Sequence, residues 1–141
     1  MKQFLLIFAL LSAALIGGSS MSPVIKTVNA ATKERATMKF DKPVMLMGIE
    51  LQGTYLFVHD DSAMGRGEEC TYVYKGETES RKKLVVSFHC TPKDRSRVDH
   101  FILRSIETPE GRTELTEYQF RGSTEGHLIP LWRQKTESIP F

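Results

Sequence analysis

No stretch of this chain is apolar for long enough to span a bilayer as a helix. The longest such run, "FLLIFALLSAALI" (Phe4 to Ile16), has 13 residues, whereas a hydrocarbon core about 30 Å thick needs roughly 20. Lys2 precedes the run and the small, polar "GGSSMSPVIKTVNA" follows it, which is the pattern of a secretory signal peptide. Val28-Asn29-Ala30 places small residues where a signal peptidase reads them, so the expected cut lies between Ala30 and Ala31. An earlier cut, from Ser20 onward, stays open. No cysteine follows the apolar run to accept a lipid. The reading is therefore a leader over 1–30, no stable membrane insertion after cleavage, and a periplasmic or secreted destination.

Excess charge of one sign is missing too. The whole chain is +2, with 19 basic and 17 acidic residues, but Lys2 and Lys26 fall in the leader and no acid does. Residues 31–141 then carry 17 of each sign. A neutral surface has no electrostatic footprint for nucleic acid or anionic lipid, and nucleic acid is excluded as a partner. The basic clusters at Arg81-Lys82-Lys83 and Lys93 to Arg97 adjoin acids and polar residues, and they read as solvated turns. Signatures of catalysis are scarce as well. There is no Gly-x-Ser-x-Gly elbow, no His-Glu-x-x-His and no His-x-His, and "GRGEE" lacks the Gly-Lys-Ser/Thr core of a phosphate loop. No repeat, low-complexity tract or linker divides the chain.

What is present is a period of two. "ATMKF" (Ala36 to Phe40) alternates, and "PVMLMG" (Pro43 to Gly48) is a short apolar segment. "GTYLFVHD" sets Tyr55, Phe57 and His59 on one face and Leu56 and Val58 on the other, as a strand covered on both sides does. "CTYVYKG" and "KLVVSFHC" flank a polar, glycine-bearing turn and predict a hairpin. "TPKDRSRV" offers Thr91 as a cap, Pro92 at a first helical position and Asp94 two residues on, predicting one helical turn. "FILRSIE" and "TELTEYQF" flank "TPEGR" as a second hairpin, and "GSTEGHLIPLW" ends in a short strand. These elements predict an all-β domain over 31–132, a small antiparallel sandwich or partly open barrel of about seven strands with one short helical turn, followed by a loose tail over 133–141.

The chain has only two cysteines. Pairing the first hairpin by constant sum sets Cys70 opposite Cys90, Tyr72 opposite Phe88 and Tyr74 opposite Val86, all on one face. In an exported protein that register predicts a Cys70–Cys90 disulfide, stabilising by roughly 3 kcal/mol for a loop of about 20 residues. The rival reading is a pair of reduced thiolates serving as soft-metal ligands.

Four histidines occur. His59 ends a strand beside Asp60 and Asp61, His89 precedes the second cysteine, and His127 follows Glu125 in "GSTEGH". Three strand ends meeting at one edge would form a histidine cup for zinc or copper, with Asp60 and Glu125 assisting. Each residue also has a structural reading. Asp60 and Asp61 suit an Asx turn, His59 shares an apolar face, His89 points away from Cys90, and Glu125 and His127 can buttress their glycine loop. His100 beside Asp99 reads as an exposed ion pair.

The blocks "GTYLFVHDDSAMGRGEECTYVY", "LVVSFHCTP" and "EYQFRGSTEGHLIP" resemble a group of small exported bacterial proteins of unknown function. The resemblance spans Gly53 to Pro130. It implies that His59, Cys70, His89, Cys90, Glu125 and His127 recur as a set, and it implies no activity, substrate or cofactor. The first functional expectation is thus an exported β-domain that binds an unknown protein or small ligand, with Asp61, Met64, Arg66 and Glu68 on its working surface. The second is a transition-metal protein using His59, His89 and His127. A hydrolase is the third class and has no motif behind it.

Overall fold

The computed structural model describes residues 32–131; the predicted leader and tail lie outside the described residues. The chain opens with a long hairpin of β1 (Lys33–Leu46) and β2 (Ile49–Asp60). Its loop is two residues long, Met47 at φ 50° and Gly48 at φ 79°, a turn with both φ values positive, whose twist matches that of the flanking strands. "ATMKF" and "PVML" are therefore one strand and not two. Between them the register slips, so that Asp41, Lys42 and Pro43 face Gln52 alone. Proline has no ladder donor, and it sits in this bulge.

Six further strands follow: β3 (Thr71–Lys75), β4 (Leu84–Phe88), β5 (Thr91–Asp94), β6 (Ile102–Glu107), β7 (Thr113–Gln119) and β8 (Glu125–Leu128). They order as β4-β3-β2-β1-β7-β8-β5, with β6 paired along β7. The eight described strands make one sheet that curls into a half-barrel. All pairings are antiparallel except the seam between β1 and β7, a single parallel bridge from Met45 to Glu114. Cross-strand pairs share a face, so Ala36 with Phe57, Met38 with Tyr55 and Phe57 with Val73 point inward together. Leu46, Leu51, Leu115, Tyr118, Phe120 and Ile129 close the core over them. A bulge in β7 leaves Thr116 outside the ladder and lets Leu115 and Tyr118, three apart, both reach that core.

Two local expectations fail. Thr91 to Asp94 is a strand, not a helical turn; it pairs with β8 at the sheet's edge, where Pro92 loses no ladder bond. Two short helical turns occur elsewhere: a 3-10 turn over Arg81–Lys83, and α1 (Asp61–Gly65) in the loop after β2, capped by the Asp60 carboxylate, which accepts from the Ser62 and Ala63 amides at 2.9 and 3.2 Å. The β3–β4 register is also one residue off the expected one: Thr71 faces Phe88, Tyr72 faces Ser87 and Val73 faces Val86. The inward row of β2 decides this. Phe57 requires Val73 beside it, Val73 requires Val86, and Tyr72 is turned to the other face, where its hydroxyl donates to the Glu69 carbonyl at 2.9 Å.

Candidate metal centre

His59 is the last inward residue of β2, following Tyr55 and Phe57 in the same row, and it is fully buried. His127 comes from β8, where pairing with Tyr118 sets the two rings side by side at 4.8 Å and 21°. The glycine-bearing loop before it is held by Gln119, whose amide donates to the Ser96 and Ser123 carbonyls at 2.8 Å each. The curl of the sheet then brings β2 and β8 together, and the two imidazole centroids lie 4.1 Å apart. Cys90, in the link between β4 and β5, places its sulfur 3.6 Å from His127 Nδ1. His59, Cys90 and His127 offer donor atoms all within 4.8 Å of one another. Donors around one tetrahedral zinc stand about 3.4–3.8 Å apart, given bonds of about 2.0–2.3 Å, so small side-chain rotations would close the set on one ion.

The electrostatics favour the ligating forms of the imidazoles. Burial pushes the His59 pKa down against the pull of Asp61 and Asp60. Burial, reinforced by His59, pushes His127 down to about 4. Both rings are neutral at neutral pH, the state in which a ring nitrogen binds a metal. His59 is also unsatisfied. The Asp61 Oδ1 lies 3.1 Å from its Nδ1, but off the line of a hydrogen bond, and neither ring nitrogen has a hydrogen-bond partner among the described residues. Leaving a buried polar atom unpaired costs about 1–3 kcal/mol. Burial, followed by contact with Cys70, raises the Cys90 thiol to about 12; a coordinated thiol would be deprotonated by the metal itself.

Carboxylates rim this cluster. Glu125 Oε1 is 3.8 Å from His127 Nε2. Burial first, then the charges of Asp61 and Glu125, raise Glu34 above the usual carboxylate range; burial and then Asp61 and Asp94 raise Glu125. Glu34 escaped the sequence reading, although a signal exists. It pairs with His59 and falls in the inward row with Ala36, Met38 and Phe40.

Two of the three histidines of the expected cup come together and one does not. His59 and His127 meet. His89 is exposed, because alternation after the buried Phe88 turns it outward, and Cys90 takes the third place. Asp60 is spent on capping α1, while Glu125 stays at the rim. The disulfide is not present. The Cys70 and Cys90 sulfurs are 2.8 Å apart as free thiols, against a bond length of about 2.05 Å. Of the predicted working surface, Asp61 stands beside His59 and Met64 is half-buried in α1, while Arg66 and Glu68 are exposed and engage each other at 3.0 and 3.1 Å. His100 and Asp99 form the expected exposed pair. A groove of about 520 Å³ beside Lys75, Lys82 and Lys83 lies at the turn end of the β3–β4 hairpin and contains none of the predicted residues. No helix of the described residues is long and apolar enough to cross a membrane. No family model, curated protein or solved structure matches the chain.

Proposed function

We propose that this protein is a small binding module whose ligand is a transition-metal ion, zinc or copper, held by His59, Cys90 and His127. The observation that carries the reading is His59: a fully buried imidazole whose nitrogens have no hydrogen-bond partner among the described residues, with Asp61 Oδ1 3.1 Å from Nδ1, facing a second neutral imidazole and a thiol. A core histidine of structural purpose satisfies at least one nitrogen, because the cost of leaving both unpaired is several kcal/mol. Two imidazoles and one thiolate are the donor types that borderline and soft ions select. The acidic rim of Glu34, Asp61 and Glu125 would raise the local cation concentration. The leader read from residues 1–30 supports an exported location, where such a module would meet its metal outside the cytoplasm.

The test is titration of reduced, metal-free, untagged protein with zinc against a chromophoric chelator, and with cobalt(II) as a spectroscopic stand-in. One equivalent should bind, and the cobalt complex should show tetrahedral ligand-field bands with a thiolate-to-metal charge-transfer band. His127→Ala and Cys90→Ser should each weaken binding by more than 100-fold, beyond the roughly 10–100-fold lost with an outer-shell partner. His89→Ala should leave it unchanged. Substoichiometric binding, or His89→Ala damaging the site as much as His127→Ala, would refute the proposal.

A further inference from the structure

Cys90 has two candidate partners for a single sulfur. On one side are His59 and His127, with donor atoms within 4.8 Å. On the other is Cys70 Sγ, 2.8 Å away, which is not part of that donor group. The place of Cys70 is fixed by the end of the hairpin. Its amide donates to the Phe88 carbonyl at 3.1 Å, and its sulfur accepts the Cys90 amide at 3.3 Å. Cys70 is buried and Cys90 is half-buried.

Resting on the metal reading above, we propose that the Cys70–Cys90 pair is a redox gate on the metal site. The dithiol holds the ion, and oxidation to the disulfide releases it. A metal needs the charged, strongly donating Cys90 thiolate, and a disulfide sulfur is neutral and a far weaker donor. The two states therefore exclude each other at one atom. With an external disulfide as oxidant, one cysteine thiolate attacks it, forming a mixed disulfide and expelling the first small thiol. The second cysteine then attacks the mixed disulfide at the protein sulfur and expels the second small thiol. Two protein thiols lose two electrons in all, and one external disulfide gains them. The bound ion leaves as the Cys90 thiolate that held it is consumed, and one proton from solution balances the second small thiol.

Linkage makes the effect reciprocal: whatever factor oxidation removes from metal affinity, bound metal removes from the equilibrium for disulfide formation. Metal that arrives first protects the dithiol; an oxidant that arrives first closes the site.

The experiment compares zinc affinity before and after treatment of the full chain with a small linear disulfide oxidant, the Cys70–Cys90 bond being verified by peptide mass mapping. Reduced protein should bind zinc, oxidised protein should bind more than 100-fold more weakly, and re-reduction should restore binding. Excess zinc should slow disulfide formation. Cys70→Ser, or Cys70→Ala if the serine variant does not fold, should bind zinc equally before and after a mild oxidant treatment that leaves its single thiol titratable. Equal zinc affinity in the verified disulfide form would overturn the gate and leave the metal reading standing. Failure of the apo dithiol to form the bond, or loss of zinc binding in a folded, reduced Cys70 variant, would overturn it too. Reduced wild-type protein that binds no zinc would instead sink the metal reading itself.

Discussion

Replacing His59 by leucine should leave the metal-free protein at least as stable as the parent, although the residue is fully buried. The substitution swaps an imidazole for an apolar side chain of similar volume. It removes two buried nitrogens that have no hydrogen-bond partner among the described residues, each costing about 1–3 kcal/mol. Against this stands a repacking cost of up to about 1.5 kcal/mol for a near-isosteric change. The inward row above it, Tyr55 and Phe57, is apolar and accepts leucine. Two nitrogens at that cost, less the repacking, leave a gain of at least about 0.5 kcal/mol for the variant. Metal should reverse the order. Zinc at 100 times its dissociation constant adds about 2.7 kcal/mol to the parent, and it should add almost nothing to His59→Leu. Urea unfolding with reductant, with chelator and then with zinc, measures both halves. A metal-free His59→Leu protein destabilised by more than about 2 kcal/mol, in the range of core truncations, would show that the imidazole is a satisfied structural group and that the reasoning fails.

The same chelator-treated protein should lose stability in acid. The His127 pKa is lowered from 6.5 to about 4 by burial and by His59, so the unfolded chain binds the proton more tightly. Its contribution is complete above pH 6.5 and falls as pH drops toward 4, by up to about 3 kcal/mol. Glu34 and Glu125, both raised, act in the opposite sense, so the comparison is between parent and His127→Gln profiles, and parallel profiles would contradict the assignment. Glu117 is buried between Arg95 and Arg104, with contacts of 2.6 and 3.0 Å. Because both arginines keep about a third of their side-chain surface exposed, Glu117→Ala should cost about 2–3 kcal/mol, less than the 3–5 of a wholly buried broken pair; thermal unfolding checks it. Gly126→Ala should also destabilise, since a Cβ there meets the Glu117 carboxylate. A double-mutant cycle with Glu117→Ala should show the two losses to be strongly non-additive.

Much of the architecture was legible in residue order. Alternation in "ATMKF" and "TELTEYQF", and double-sided burial in "YLFVH", depend on side chains two residues apart, and the strands formed where those patterns lie. Errors came where a choice between local signals was settled at a distance. "TPKD" carries a plausible helix start, yet its backbone bonds are taken by β8, more than 30 residues further on. The hairpin "CTYVYKG" with "KLVVSFHC" has two near-equal registers in sequence. The row Tyr55, Phe57 and His59 on the neighbouring strand selected the one that splits the tyrosines from Phe88.

The site shows the same division. His59 was recognisable because it ends the inward row of Tyr55 and Phe57, and His127 was singled out by its donor chemistry in "GSTEGH"; His89 was included although alternation after Phe88 turns it outward. By itself, the sequence determined the strands, their inward faces and the candidate donors, since those follow from a side-chain period of two and from residue chemistry. Only the tertiary structure decided that His59, Cys90 and His127, drawn from β2, the β4–β5 link and β8, share one cluster. Their meeting depends on how far the sheet curls and on a single bridge joining β1 to β7, quantities that are summed over the whole sheet and written in no short stretch of chain.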